Sequence, residues 1–277
     1  TRKESSAASD VYKRQCVISE KELPDEERSY IQVESSLQAL KDLALLYRNN
    51  LDVKVVGITG SVGKTSTKET ISSVLSEKYR VLKTLGNFNN EIGLPLTVFR
   101  LTEDDEVAVL EMGISHFGDM KPLAKIARPD VCVITNIGYA HLENLGTRDG
   151  ILKEKSSMTD YMNPKGSIIF NGDDDKLSTV KEYNGMQPVF FGNGEKASVT
   201  CENVESRGLK GMSCDICLKG KMAENGEFQT FHVDIPMPGR HMVSNALAAA
   251  AVGRLYGLNA ELSLIHISEP TRRRGIS

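Results

Sequence analysis

The residues best suited to chemistry stand in one short run. Gly57-Ile58-Thr59-Gly60-Ser61-Val62-Gly63-Lys64-Thr65 sets glycines, a lysine and a hydroxyl between an apolar stretch and a helical pattern. Glycines let successive backbone N–H groups curl around phosphate oxygens, and a helix N-terminus adds its dipole. Lys64 is spaced to reach β/γ-phosphates, and the Thr65 hydroxyl to ligate Mg2+. The general G-x4-G-K-[ST] spacing needs glycine at 58, where Ile58 stands, so this is a variant loop. The expected nucleotide contacts are Thr59, Gly60, Ser61, Val62, Gly63, Lys64, Thr65 and Ser66.

Other reactive side chains are scattered. Glu111 ends an apolar run, and open α/β sheets gather ligands at the carboxyl ends of their strands. A carboxylate there can complete a Mg2+ site with Thr65 and phosphate oxygens, or can be a solvated strand-end acid. His141 follows another apolar run and a T-N-I-G-Y-A turn. Lys153 and Lys155 share one helical pattern, where a solvated face is the plain alternative. Cys214-Asp215-Ile216-Cys217 has C-x-x-C spacing but no helix after it, and Cys201 is one further ligand where zinc would need a second pair. It is expected to be inert. His116 and His232 have no supporting constellation.

The elements that must position these residues alternate from Val53 onward. Val53–Thr59, Tyr79–Lys83, Val107–Met112, Val131–Thr135 and Ser167–Asn171 read as strands, with helical patterns between them. That alternation predicts an α/β fold: a P-loop-type, mostly parallel sheet with helices on both faces. Residues 188–235 change character, with short alternating stretches separated by Gly192-Asn193-Gly194 and Asn225-Gly226, and are expected to form a small antiparallel appendage. An Ala-rich helix follows from about His241 to Tyr256. Before the alternation, Cys16-Val17-Ile18 and Tyr30–Val33 read as short strands. Leu37, Leu40, Leu43, Ala44 and Tyr47 recur at helical spacing, with Ser35 or Ser36 as cap and Asn49-Asn50 as stop.

Composition excludes several classes. The 277 residues carry 34 Lys+Arg against 37 Asp+Glu, so charge gives no hint of a nucleic-acid partner. Hydrophobic content of 40% excludes global disorder. No apolar run reaches the ~18 residues of a membrane span. The five cysteines do not read as a disulfide framework, so a reducing cytoplasm is expected.

Both ends read as foreign. Asp10-Val11-Tyr12-Lys13-Arg14-Gln15 can be encoded by DNA whose reverse complement encodes Leu262-Ser263-Leu264-Ile265-His266-Ile267. Such an inverted repeat resembles a transposon-derived library adapter read through in both directions. Residues 1–15 and 262–277 are therefore expected to be non-native tails. Each tail carries two more basic than acidic residues, so the segment 16–261 stands at −7 rather than −3.

The string G-I-T-G-S-V-G-K-T-S-T-K (Gly57–Lys68) resembles the ATP loop of the Mur ligases. Leu110–Gly113 (L-E-M-G), Arg128–Glu143, Asn171–Asp175 (N-G-D-D-D) and Gly239–Ala249 (G-R-H-M-V-S-N-A-L-A-A) fit the same family in its order. The stretch Gly86–Leu96 (G-N-F-N-N-E-I-G-L-P-L) is similar to the branch that joins D-alanyl-D-alanine to UDP-MurNAc-tripeptide. The resemblance implies an ATP-dependent, ADP-forming carboxylate–amine ligase of peptidoglycan synthesis, a cytoplasmic monomer. It implies Lys64, Glu111, His141 and Lys155 as catalytic residues. Thr65 and Glu111 would serve one Mg2+, and His141 with a carbamylated Lys155 a second. Lys155, fourteen positions after His141, fits the family's register better than Lys153. Asn245 resembles the adenine-contacting asparagine, and Met242 stands where many members carry another. Asn89 and Asn90 are expected on the substrate side, or as caps of the next helix.

The resemblance also implies a division of the chain. Residues 16–51 would be the end of an N-terminal UDP-substrate domain, and 52–261 an incomplete central ATP-binding domain. With a C-terminal domain missing, this chain is expected to bind ATP weakly and not to ligate. The competing readings are a sibling Mur ligase, a folylpolyglutamate synthetase, and a P-loop nucleotide switch without ligase chemistry. The N-N-E-I-G-L-P stretch argues against the first two.

Overall fold

The computed structural model describes residues 16–22, 29–223 and 226–258. The two tails read as foreign and Asn225 of the expected hairpin turn lie outside the described residues. Near the start, β1 (Val17–Ser19) and β2 (Tyr30–Gln32) form a separate parallel pair. Helix α1 (Ser36–Asn49) comes next, opened by Ser35, whose hydroxyl accepts from Gln38 N at 3.2 Å, and closed at Asn50. α1 is anchored to the rest of the chain. Ala44 is fully buried, and Arg48 donates to the carbonyls of Ala127, Leu51 and Val53.

The main sheet is built around β3 (Lys54–Thr59), which lies parallel between β5 (Val107–Glu111) and β6 (Val131–Ile134). These strands are apolar almost throughout because helices cover both faces. β4 (Val81–Lys83) forms the edge beyond β5, and β7 (Ser167–Asn171) follows β6. On one face pack α2 (Lys64–Ser76) and α7 (Arg240–Leu255). On the other pack α3 (Gly93–Val98) and α4 (Met120–Ala127), joined by α1. The alanines at 246 and 248–251 of α7 are buried, and small side chains there let α7 lie close to α2.

The 188–235 region corrects one expectation. β8 (Val189–Phe191) is not antiparallel: it pairs in parallel with β7 and, at one position, with β9 (Val199–Ser206). The antiparallel part is β9, β10 (Met212–Leu218) and β11 (Gln229–Ile235). It extends the main sheet, as an appendage to it would, and the whole sheet runs β11-β10-β9-β8-β7-β6-β3-β5-β4. The Gly192-Asn193-Gly194 turn is therefore no hairpin. Its amides at 193 and 194 donate to Asp173 Oδ1.

This order creates a switch point between β3 and β6. The chain leaves β3 toward β4 and leaves β6 toward β7, in opposite directions across the sheet. The loops after β3 and β6 flank the crevice where such sheets take ligands.

Candidate active site

The loop after β3 is built around backbone rather than side chains. Gly63 precedes α2 with φ +82, and nothing lies within 4 Å of where its Cβ would stand. Gly60 is required for a different reason: a Cβ there would sit 1.9 Å from Thr135 Oγ1. Asn136, from the loop after β6, fixes the tip. Its Oδ1 accepts from Ser61 N at 3.0 Å and Val62 N at 2.9 Å, and its Nδ2 donates to Val62 O. The first N–H groups of α2, at Lys64, Thr65 and Ser66, have no partner within the helix and point along its positive end.

Three acidic or cationic groups converge on this loop. Thr65 Oγ1 donates to Glu111 Oε2 at 3.0 Å, and Asn89 Nδ2 donates to Glu111 Oε1 at 2.7 Å. Lys64 Nζ and Lys155 Nζ donate to the same acceptor, Gly60 O, at 2.9 and 3.1 Å. Burial lowers the Lys64 pKa, with Glu111 opposing that shift. Burial and then the nearby Lys64 charge push Lys155 down to about 7. A neutral amine is the form that can take up CO2 as a carbamate.

The expected residues separate into those brought together and those not. Lys64, Thr65, Glu111, Asn89 and Lys155 share the site, whereas Lys153 on the same helix α6 (Arg148–Ser156) is exposed. His141 opens the short helix α5 (Leu142–Leu145) with φ +62, exposed and without a polar side-chain partner among the described residues. Asn90 caps α3, accepting from Gly93 N at 2.8 Å and Ile92 N at 3.2 Å. Asn245 is buried and accepts from Thr67 Oγ1 at 2.8 Å, with its amide against Met242 Sδ at 3.4 Å. Cys214 and Cys217 are buried, free thiols of β10. Burial pushes the Cys214 thiol up to about 12, away from ready metal or redox use.

Sequence reasoning passed over several supports. Thr84 Oγ1 accepts from Glu111 N at 3.0 Å, Lys68 lies beside Glu111, and Asp174 Oδ2 accepts from Ile137 N at 2.9 Å. Arg148 donates to Ile137 O and grips Asp175, so the N-G-D-D-D run ties down the loop that carries His141. Lys68 carried a readable signal: it stands one turn after Lys64 on the same helix face.

The donor set fits the expected cation at one position. Thr65 Oγ1 and Glu111 Oε2 are hard oxygen donors beside a phosphate loop, the usual protein share of a Mg2+–nucleotide site.

The family model for the Mur ligase middle domain matches residues 58–253. The chain belongs to the Mur ligase family. It is 41% identical over 238 residues to the UDP-N-acetylmuramoyl-tripeptide–D-alanyl-D-alanine ligase of Bacillus subtilis, covering 86% of this chain and 49% of that protein. Among solved Mur ligases, the MurF crystal structure from Acinetobacter baumannii superposes with a TM-score of 0.84 at 31% identity, over 97% of this chain and 58% of that one. The Thermotoga maritima MurF, solved in complex with ADP, superposes at 0.80 with 29% identity, over 97% and 61%. The chain thus spans about half the length of the curated relatives it matches.

Proposed function

We propose that this chain is the ATP-activating part of a ligase that joins D-alanyl-D-alanine to the peptide carboxylate of UDP-MurNAc-tripeptide, in the cytoplasm. The observation that carries the reading is the convergence of Lys155, buried and from a distant helix, on the phosphate loop at Gly60. A nucleotide switch has no need of it, and a ligase that carbamylates this lysine does. The named activity of the Bacillus subtilis relative and the ADP held by the Thermotoga maritima structure support the choice.

A carboxylate is a poor acyl donor. Its oxygen attacks the γ-phosphorus of ATP, ADP leaves, and an acyl phosphate results. The free amine of D-alanyl-D-alanine then attacks the acyl carbon, the tetrahedral intermediate expels phosphate, and the nitrogen gives up a proton. This chain's part is to hold the reactants in line and to meet negative charge with fixed positive groups. The α2 amides and Lys64 face the phosphates, and Asn136 keeps the loop open for them. Thr65 and Glu111 would hold Mg2+, and the family resemblance alone assigns a second ion to His141 with carbamylated Lys155. When bound, the ions neutralise charge on the transferred phosphoryl group. Asn89 donates to the Glu111 carboxylate and would face the substrate side, and Asn245 would serve the adenine side, as the family resemblance implies.

Residues 16–51 are read as the end of a UDP-substrate domain and 52–261 as the central domain, with 1–15 and 262–277 foreign. The chain spans about half the length of its curated relatives, so ligation is read as the property of a polypeptide of their full length. The test is an amine screen with the full-length protein, UDP-MurNAc-tripeptide and ATP. The reading expects phosphate release with D-alanyl-D-alanine; preference for a single amino acid overturns it.

A further inference from the structure

The functional reading leaves one buried charge unused. Lys68 lies on α2 one turn beyond Lys64 and is fully buried, at 0% exposure. Its Nζ has no hydrogen-bond partner among the described residues. It stands 3.6 Å from Glu111 Oε2 and 3.4 Å from Glu69 Oε1. Glu69 Oε2 in turn meets Lys83, on the edge strand β4. The four side chains Lys83, Glu69, Lys68 and Glu111 thus alternate in sign from the sheet edge to the hydroxyl of Thr65.

Burying a charge without hydrogen bonds is expensive, and it persists where an opposite charge offsets it. Glu111 is itself 2% exposed, and its oxygens receive neutral donors, Asn89 and Thr65. Among the described residues, Lys68 is the cation at ion-pair distance from it; Lys64 acts from further off. Without a directional bond, Lys68 works on Glu111 through its field, which is strong where water is excluded. The same field opposes any further cation arriving at Glu111 Oε2.

We propose that Lys68 is a positioning residue, a built-in counter-charge that holds the Glu111 side chain against Thr65 and weakens the grip of the site on Mg2+. The proposal rests on the reading of Glu111 as a cation ligand. Its consequence is a site already charge-balanced before Mg2+ arrives, able to exchange Mg2+–ADP for Mg2+–ATP.

The test uses this chain with Lys68→Met, which keeps length and removes charge, Glu111→Gln, the double variant, and Glu69→Gln as a control. Urea unfolding without metal should show Lys68→Met lowering the folding constant by on the order of a hundredfold, with most of the loss recovered when Glu111→Gln is added. Fluorescent ADP binding, titrated with Mg2+, should show an apparent Mg2+ affinity on the order of tenfold tighter in Lys68→Met than in the unaltered chain. Strictly additive unfolding effects, recovery by Glu69→Gln instead, or unchanged Mg2+ affinity would make Lys68 a packing residue and overturn the proposal. If Lys68→Met does not fold, folding of the double variant supports the coupling, and failure of both overturns it. If Mg2+ leaves ADP binding unchanged in the unaltered chain, the cation-ligand reading fails, while the unfolding cycle still decides the role of Lys68.

Discussion

Lys64 and Lys155 donate to one carbonyl, that of Gly60, at 2.9 and 3.1 Å. Two ammonium groups on one acceptor repel each other, and both are taken from water. The pair therefore relaxes by losing a proton, and Lys155, the more buried, loses it near neutrality. The Gly60 carbonyl is thus the point where the loop that would hold ATP senses the charge state of α6.

Stability should rise with pH above neutrality. Lys155 sits at about 7 in the fold against an ordinary 10.5, so between these values the unfolded chain binds a proton that the native chain does not. That sign makes stability increase with pH, by up to about 1.4 kcal/mol per pH unit, and Lys64 adds in the same direction. The window closes near pH 9, where Cys132 and Cys214, held protonated by burial, pull the other way. Urea unfolding from pH 7 to 8.5 measures the slope. Lys155→Met should flatten it; an unchanged slope would contradict the assignment.

Carbamylation should be selective. At fixed 13CO2 pressure, a carbamate resonance is expected on Lys155 at lower pH than on an exposed lysine, because its amine is neutral from about pH 7. The lone pair of the neutral Nζ attacks CO2 and the nitrogen gives up one proton, leaving a carbamate anion; counted from the ammonium form, two protons are released. Lys153→Ala should keep the resonance because Lys153 is exposed, and Lys155→Ala should erase it. A signal that appears only near pH 10 would contradict the burial argument.

Two glycines of the loop should differ in how substitution harms them. Gly60→Ala drives a methyl into Thr135 Oγ1 at 1.9 Å and should collapse the loop and ADP binding together. Gly63→Ala meets open space and bears the left-handed backbone strain alone, about 1–2 kcal/mol. Thermal unfolding and ADP affinity of both variants make the comparison. Equal losses would mean that contact with Thr135 is not what requires glycine at 60.

Asp174 should anchor the His141 loop without touching nucleotide. It accepts from Ile137 N at 2.9 Å and from Lys176 N and Leu177 N at 3.0 and 2.9 Å. Asp174→Ala strands these amides, at about 1–3 kcal/mol in stability. Hydrogen exchange should quicken across Ile137–His141 while ADP affinity stays within about twofold, because Asn136 remains to hold the loop tip. Unchanged exchange at Ile137 would show that Arg148 suffices.

The parts legible in the sequence were those governed by short-range pattern. Apolar runs such as Val107–Met112 became parallel strands, and Ser35 capped α1 as its spacing indicates. The glycine-rich loop landed at the sheet's switch point. β8 escaped because a three-residue strand carries no period that distinguishes parallel from antiparallel pairing; its neighbours are set by β7 and by Asp173 gripping the following turn. In the site, Lys64 and Thr65 could be read because they stand in the loop itself, whereas Glu111 stands out only as an acid at a strand end. Lys68 and Asp174 could not be ranked, since their roles depend on what lies across α2 and β7 at long sequence separation. Asn90 shows the opposite case: a residue open to either reading spends its side chain on capping α3.

The most direct test uses the full-length protein. ATP-dependent joining of D-alanyl-D-alanine to UDP-MurNAc-tripeptide should be lost in Lys155→Ala and partly restored by a short-chain carboxylic acid, which replaces the missing anion. Full activity in Lys155→Ala without added acid would contradict the account and favour a nucleotide switch.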